Sequence, residues 1–225
     1  MLERLARCVV GLVMCGVGLA AIINAELGLA PWDVLHQGVS RRSGIPIGTV
    51  IVLFGFLVLL AWIPLRVRPG VGTILNAILI GVVVDLVGPH VPEMDHVVVR
   101  SAVLAAGIVA FGAGSGLYIG AGLGPGPRDG LMTGLARRGL SIPVARTGLE
   151  LVVLVAGLAL GGSAGVGTAA FTFGIGPIVH FFLRRLTVHG AANPATSTVS
   201  SPPAGSSWKT KTRSSVSPAP RKSIV

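Results

Sequence analysis

The chain has 225 residues, of which 52% are hydrophobic and only 12% charged, with a formal net charge of +10. Soluble domains carry about 25% charged residues, and the mean hydropathy here is +0.81, so a soluble globular protein is excluded. The basic residues lie at the ends of apolar runs and beyond residue 186 rather than on one patterned face. This distribution argues against nucleic acid as a partner and is typical of membrane proteins.

Six apolar stretches are long enough to cross a bilayer core, which takes about 20 helical residues. They are residues 7–28, 46–65, 71–88, 98–120, 142–161 and 165–183. The first stretch also fits a signal peptide, since Arg4 and Arg7 precede it and small residues follow near Ala20 and Ala25. The internal repeat described below favours a retained span.

The distribution of basic residues over the loops predicts that both termini face the cytoplasm. With this orientation the cytoplasmic arginines are Arg4, Arg7, Arg66, Arg68, Arg128, Arg137, Arg138, Arg184 and Arg185. The opposite face receives Arg41, Arg42 and Arg100, together with the acidic loop of Glu93 and Asp95. Residues 187–225 are rich in Ser, Pro, Thr and basic residues, which predicts a disordered basic cytoplasmic tail near anionic headgroups.

The chain contains an internal repeat at an offset of 96 residues, which becomes 95 after a one-residue deletion. The segment 31–42, PWDVLHQGVSRR, aligns with 127–138, PRDGLMTGLARR, and residues 70–73 and 165–168 both read GVGT. Identical residues at the first offset are Gly16, Gly18, Ile23, Ala25, Leu27, Gly28, Pro31, Asp33, Leu35, Gly38, Arg41 and Arg42. The repeat divides the chain into two three-span units, residues 1–90 and 91–186, followed by the tail.

Three spans is an odd number, so the second unit must enter the membrane from the opposite side. The sequence therefore predicts an all-α membrane protein of about six transmembrane helices, built as an inverted 3+3 repeat. Secondary transporters often have this architecture, with the substrate site between the two halves near the bilayer midplane.

Each copy of the dodecamer predicts a short helix. Pro31 and Pro127 suit the first helical position, and Asp33 and Asp129 follow where a carboxylate meets the positive end of the helix dipole. Two interpretations remain open at this point. Each helix either lies amphipathically at the membrane interface, with the aspartate as a cap, or re-enters the membrane and brings the aspartate to a central cavity. In the second case Asp33, Asp129 and Arg128 would contact a cation, a proton or an amine.

Other polar residues lie inside the apolar stretches, where ionisable groups are costly and often functional. Asn76, in the middle of the third stretch, either bonds across helices or contacts a solute. Glu26, Asp85 and His180 lie close to the ends of their stretches, which favours interfacial positions. Arg146 and Glu150 are four residues apart and are expected to pair on one helical face.

Glycines recur every four residues in and after the fourth stretch, at Gly112, Gly116, Gly120 and Gly124. Such a row lets two helix backbones approach closely, so we expect helix packing there.

Enzymatic chemistry and cofactors find no support in the sequence. Cys8 and Cys15 are two helical turns apart, too far for a disulfide, and the spacing of residues matches no metal site. Residues 112–120, GAGSGLYIG, contain a G-x-S-x-G-like string, but it lies within an apolar stretch rather than at a strand-to-helix elbow. We therefore expect no catalytic residues, no metal and no cofactor.

The strings GLGPGPRDGLMTGL at 122–135 and APWDVLHQG at 30–38 resemble the YczE branch of the YczE/YyaS/YitT bacterial membrane proteins. The resemblance covers about residues 10–184. It implies a small multi-pass protein of the bacterial cytoplasmic (inner) membrane, and it brings no established activity to any residue.

Two functional hypotheses follow. The first is a secondary transporter or channel-like protein for a small solute or cation, with Asp33, Asp129, Arg128 and Asn76 as substrate contacts. The second is a non-transporting scaffold or regulatory partner of another membrane protein. Partners expected from the sequence are the lipid bilayer, a small solute, and a second copy or another membrane protein.

Overall fold

The computed structural model describes residues 1–187, apart from the side chain of Ile142. Within this range the chain forms eight α-helices and no strand. They are α1 (Leu2–Ala25), α2 (Pro31–Ser43), α3 (Ile47–Leu65), α4 (Val71–Val87), α5 (Val97–Gly120), α6 (Pro127–Ala136), α7 (Ile142–Ala159) and α8 (Val166–Leu186). The tail predicted to be disordered lies, from residue 188 on, outside the described residues.

Five of these helices are long and apolar enough to cross a membrane: α1, α3, α4 with the short turn that follows it, α5 and α8. The remaining predicted span, residues 142–161, corresponds to α7, an 18-residue helix that is not among the five. The two dodecamers form α2 and α6, of 13 and 10 residues. At 1.5 Å per residue they are about 20 and 15 Å long, too short to span a bilayer.

The start and end of each short helix follow from local sequence. Pro31 and Pro127 occupy first-turn positions, and α2 ends at Gly44, which has a φ of 73°. In α2 the paired arginines lie in the last turn, as the sequence predicts. The helix α6 ends one residue before its arginine pair, because residues 137–139 form a tighter turn that closes at Gly139, with a φ of 101°.

The helices α1 and α5 form the centre of the molecule and run antiparallel to each other. Near one end of the pair, Gly11 meets the backbone of Gly114, and near the other Gly18 meets that of Gly107. A side chain at any of the four would overlap the opposite backbone, so glycine allows the two helices to touch directly. Cys8 and Cys15 of α1 are buried free thiols, in agreement with their spacing.

The contacts between the other helices are reciprocal. The helix α4 packs on α1 and α8 on α5, while α2 packs on α7 and α6 on α3. The Arg41 guanidinium donates to the Gly161 carbonyl beyond the end of α7, at 2.8 Å, and Arg138 donates to the Pro64 carbonyl at the end of α3. Arg42 donates to two further carbonyl groups at the end of α7. Each short helix thereby caps the C-terminus of a long helix in the other half.

The first turns of α4 and α8 also make equivalent hydrogen bonds to the opposite half. The Gly72 N–H donates to the Leu123 carbonyl oxygen at 2.9 Å, and the Gly167 N–H donates to that of Leu27 at 2.7 Å. Each helix start is therefore fixed to the loop that precedes the short helix of the other half.

The two halves differ in the packing of their last two helices. The helices α3 and α4 pack along each other through Gly48 and Gly81, and the Asp85 carboxylate accepts the Gly48 N–H at 2.6 Å and the Thr49 hydroxyl at 2.8 Å. Their counterparts α7 and α8 are not packed together within the described chain. Asp85, predicted to be interfacial, thus binds the N-terminus of α3.

Candidate functional site

A cavity of about 430 Å³ lies between the two halves, within the range of about 300–1,000 Å³ that is typical of small-molecule sites. The four predicted contact residues, Asp33, Asn76, Arg128 and Asp129, all line it. They lie in three separate segments of the sequence, and the fold brings them to one cavity.

The two aspartates that the repeat makes equivalent have different surroundings. Asp33 is 1% exposed, and its Oδ1 accepts hydrogen bonds at 3.1 Å from both His36 Nδ1 and an Arg128 guanidinium nitrogen. His36 is also 1% exposed and packs edge-on against Phe54. Asp33 is therefore a buried counter-charge that holds two side chains in place.

Arg128 occupies the first turn of α6 and lies across the boundary between the halves. Its guanidinium lies 5.1 Å from the centre of the Trp32 ring, a cation–π distance, and the side chain is 33% exposed. A guanidinium has five N–H donors in a rigid fork, and the Asp33 contact takes one end of it. The remaining surface of the group contributes to the cavity wall.

Asp129 is an exposed residue of the described chain, and it lines the cavity. Within residues 1–187 it forms none of the salt bridges. Its Oδ2 is beside the start of α6, where a Cβ on Gly126 would be 3.2 Å away. The same Cβ would be 3.0 Å from the Tyr118 hydroxyl and 3.7 Å from Asn76 Nδ2. Gly126 therefore marks a space that three polar side chains surround.

We call Asn76, Tyr118 and Asp129 around Gly126 the polar subsite. Tyr118 is only 6% exposed, it lines the cavity, and no side chain or backbone group of the described range hydrogen-bonds its hydroxyl. The hydroxyl is not among the fully enclosed atoms that lack a partner, so it keeps surface of its own. The hydroxyl and the Asn76 amide are thus available to a molecule in the cavity.

The rest of the cavity wall is largely apolar and aromatic. Phe111 and Phe171 meet edge-on with their ring centres 5.5 Å apart. Trp32 Nε1 is the single buried side-chain nitrogen or oxygen without a partner among the residues that the structure describes. Further apolar lining residues are Leu19, Ile51, Phe54, Val58, Ile80, Ile119, Met132, Ile175, Val179 and Leu183.

Residues of α7 and α8 line the cavity, and these two helices are not packed together within the described chain. Arg146 Nε donates to Glu150 Oε1 at 3.0 Å, which confirms the predicted pair, and both residues line the cavity. His180 of α8, expected at the interface, is exposed and also lines the cavity. Glu26, by contrast, is an exposed partner of Arg100 at 3.3 Å.

The glycine row of the fourth stretch lies mainly against α8. A Cβ on Gly112 would overlap the Ile178 side chain, and one on Gly116 would be 2.7 Å from the Cβ of Phe182. Gly120 ends α5 near Thr187. Gly124 lies beyond the helix, with a φ of 126°, and touches Gly70 and Thr73 instead.

No group of three or more His, Cys, Asp or Glu side chains within residues 1–187 is arranged to hold a metal ion. Sequence reasoning missed His36, Tyr118 and Trp32 because each belongs to a helix whose pattern reads as ordinary packing. The one signal in the sequence was the spacing of His36, three residues after Asp33 on the same helical face.

These features define a helical membrane protein whose two halves enclose a cavity with a polar part and a largely apolar wall. The chain belongs to a family described as a family of unknown function (DUF6198), whose model matches residues 2–184. It is 39% identical to an uncharacterised protein of Haemophilus influenzae over 76% of this chain and 79% of that protein.

Two relatives from Bacillus subtilis extend the comparison. The chain is 32% identical to the uncharacterised membrane protein YczE, over 86% of this chain and 93% of that protein. It is 25% identical to the uncharacterised protein YyaS, over 80% and 92%. The resemblance to the YczE branch is thereby confirmed. No solved structure matches the chain.

Proposed function

We propose that the protein is a secondary transporter or channel-like protein for a small solute, with the cavity between its two halves as the solute site. The observation that carries this proposal is the cavity itself. Both halves line it, and charged and polar groups that are costly to bury in a membrane converge on it from α2, α4, α6 and α7.

The two halves form an inverted repeat in this proposal. Equivalent helices of two oppositely inserted halves must be antiparallel, as α1 and α5 are. The reciprocal packing of α2 on α7 and of α6 on α3, with matching arginine caps, supports a two-fold axis between the halves.

The helices α2 and α6 are then re-entrant rather than interfacial, with α7 as the sixth span. Residues 31–36 of α2 are all buried, and other helices cover α2 on two sides. A helix that lies on the membrane surface would instead keep one face in water. The first turn of α2 also places Trp32 and Asp33 in the cavity wall. A helix at the membrane interface would not bring these side chains to a central cavity.

The asymmetry between the halves corresponds to one state of a transport cycle. With both termini in the cytoplasm, as the arginine distribution favours, the Asp85 contacts with Gly48 and Thr49 close the external side. The gap between α7 and α8 lies beside Arg146 and His180, toward the cytoplasm. The described conformation is therefore inward-open in the proposed orientation, and the reverse state would pack α7 on α8 and separate α3 from α4.

A two-stage experiment tests transport. The purified protein is first screened by thermal shift against cations, amines and small metabolites, because a ligand that binds the folded state raises its apparent stability. Each hit is then tested for flux in proteoliposomes with the wild-type chain and with Asp129→Asn. Transport predicts saturable flux that the variant loses while it stays folded.

The scaffold hypothesis predicts a different outcome. A folded protein that binds no solute, carries no flux and co-purifies with a defined second membrane protein would overturn the transport proposal.

A further inference from the structure

The cavity contains one carboxylate more than its arginines neutralise. Arg128 pairs with Asp33 at 3.1 Å and Arg146 pairs with Glu150 at 3.0 Å. Asp129 remains, with no ion pair among the residues that the structure describes. With neutral histidines the five charged groups that line the cavity sum to one negative charge. A single positive charge in the cavity would neutralise them.

The polar subsite has the chemistry to bind such a charge when an N–H group carries it. The Asp129 carboxylate and the Tyr118 hydroxyl oxygen are acceptors, and they lie beside the same space at Gly126, to which Asn76 presents its amide group. A primary ammonium group presents three N–H donors, so it can donate to both acceptors at once. A carboxylate or phosphate would instead face Asp129 at close range.

The remaining wall of the cavity indicates the size and polarity of the rest of the ligand. Phe111, Phe171 and Ile175 form an apolar surface on the α5 and α8 side of the cavity. A volume of about 430 Å³ exceeds the needs of a bare inorganic ion, and aromatic faces stabilise organic cations. Apolar walls of this kind contribute affinity through buried hydrocarbon rather than through charge.

From these observations we infer that the polar subsite binds the ammonium group of a small organic primary amine, and that Asp129 alone provides its counter-charge. The inference rests on the proposed function, since it names the substrate class of that same cavity. Asp33, the repeat equivalent of Asp129, is a positioning residue that holds Arg128 and His36. Duplication thus produced two aspartates, one of which binds ligand and one of which supports the wall.

The test measures equilibrium binding of matched probes to the purified full-length protein. The probes are 2-phenylethylammonium, its neutral analogue 2-phenylethanol and the anion phenylacetate, with butylammonium as a smaller primary amine. We expect saturable binding of the two ammonium probes at millimolar concentrations or below, and none of the alcohol or the anion.

Three variants then assign the site. Asp129→Asn removes a charge-assisted hydrogen bond and should weaken ammonium binding about 10- to 100-fold. Gly126→Ala keeps every charge but places a methyl group within the polar subsite, and it should also weaken binding. Asp95→Asn makes the same chemical change in an exposed loop and should leave the affinity unchanged.

The inference is overturned if neither ammonium probe binds folded wild-type protein, if phenylacetate binds as well, or if Asp129→Asn binds like the wild type. Flux measurements separate this result from the fate of the proposed function. Ammonium binding without flux would refute transport and leave the site intact. Flux of a neutral or anionic solute would leave transport intact and refute the ammonium site.

Discussion

The carboxylate of Asp33 and the guanidinium of Arg128 lie 3.1 Å apart although 95 residues separate them in the chain. The first residue belongs to α2 and the second to α6, so the bond joins the two dodecamer helices across the boundary between the halves. Because Asp33 is almost fully buried, the positions of the two short helices depend on each other.

Removal of Arg128 should therefore destabilise the protein more than the loss of an exposed arginine would. In Arg128→Gln the buried Asp33 carboxylate keeps only His36, and losing one partner of a buried pair costs about 3 kcal/mol. The free energy of unfolding in mixed detergent micelles is the measurement, and Arg137→Gln, at an exposed position, is the matched control.

A double-mutant cycle separates the pair from its surroundings. Asp33→Asn combined with Arg128→Gln should cost less than the sum of the two single changes, with a coupling of about 1 kcal/mol or more. Strictly additive costs would show that the two side chains do not stabilise each other.

Gly81 and Gly176 are equivalent in the repeat, but the same alanine substitution should change the stability of the protein by different amounts at the two positions. A Cβ at Gly81 would overlap the Gly48 carbonyl, so Gly81→Ala should separate α3 from α4 and cost about 1–3 kcal/mol of stability. Gly176 has no atom within 4 Å of its added Cβ, so Gly176→Ala should stay within about 1 kcal/mol of the wild type. Thermal unfolding in detergent compares them, and equal losses would mean that α7 and α8 are packed as tightly as α3 and α4.

Substitutions at Trp62 in α3 and at Gly130 in α6 should have coupled effects on stability, because the two residues are in contact. The Trp62 indole is 1% exposed, donates to the Pro127 carbonyl at 3.0 Å and fills the space beside Gly130. Gly130→Ala should clash with the outer ring of the indole, whereas Trp62→Phe removes those atoms.

The double variant Trp62→Phe/Gly130→Ala should consequently lose less stability than the two single variants added together, by about 1 kcal/mol. Chemical unfolding curves of all four proteins give this value. A double variant as unstable as the sum would contradict the packing of α6 against the indole.

Much of the fold could be predicted because lipid imposes a simple rule on sequence. Apolar stretches of about 20 residues have to become helices, so α1, α3, α4, α5 and α8 were readable, and the Pro-x-Asp openings identified α2 and α6. The first helix differs most from its prediction. It begins at Leu2 and ends at Ala25, and the capping residue Glu26 adopts a left-handed conformation with a φ of 51°, a feature that local sequence does not reveal.

Only part of the candidate site could be predicted from the sequence. The repeat singled out Asp33 and Asp129 as a pair, but their different surroundings depend on residues that are remote in the chain. Tyr118 and Asn76 come to Asp129 from α5 and α4, and their counterparts in the opposite half, at the repeat offsets, are Ile22 and Phe171 respectively. The gap between α7 and α8 was equally hidden, because it depends on packing between two helices of ordinary composition.

The two dodecamers also make a prediction about sides of the membrane. If the halves are inserted oppositely, the C-terminal ends of α2 and α6 must face different compartments. Ser43 and Leu140 are exposed at these two ends. Cys8 and Cys15 are fully buried, so the native thiols should not react with a bulky reagent.

The most direct measurement is therefore labelling of Ser43→Cys and Leu140→Cys with a membrane-impermeant maleimide, in intact spheroplasts and in inverted vesicles. An inverted repeat with cytoplasmic termini predicts that the cysteine at 43 reacts only in spheroplasts and the cysteine at 140 only in inverted vesicles. If both cysteines react from the same side, the halves are inserted in parallel, and a solute site between two inverted halves is contradicted.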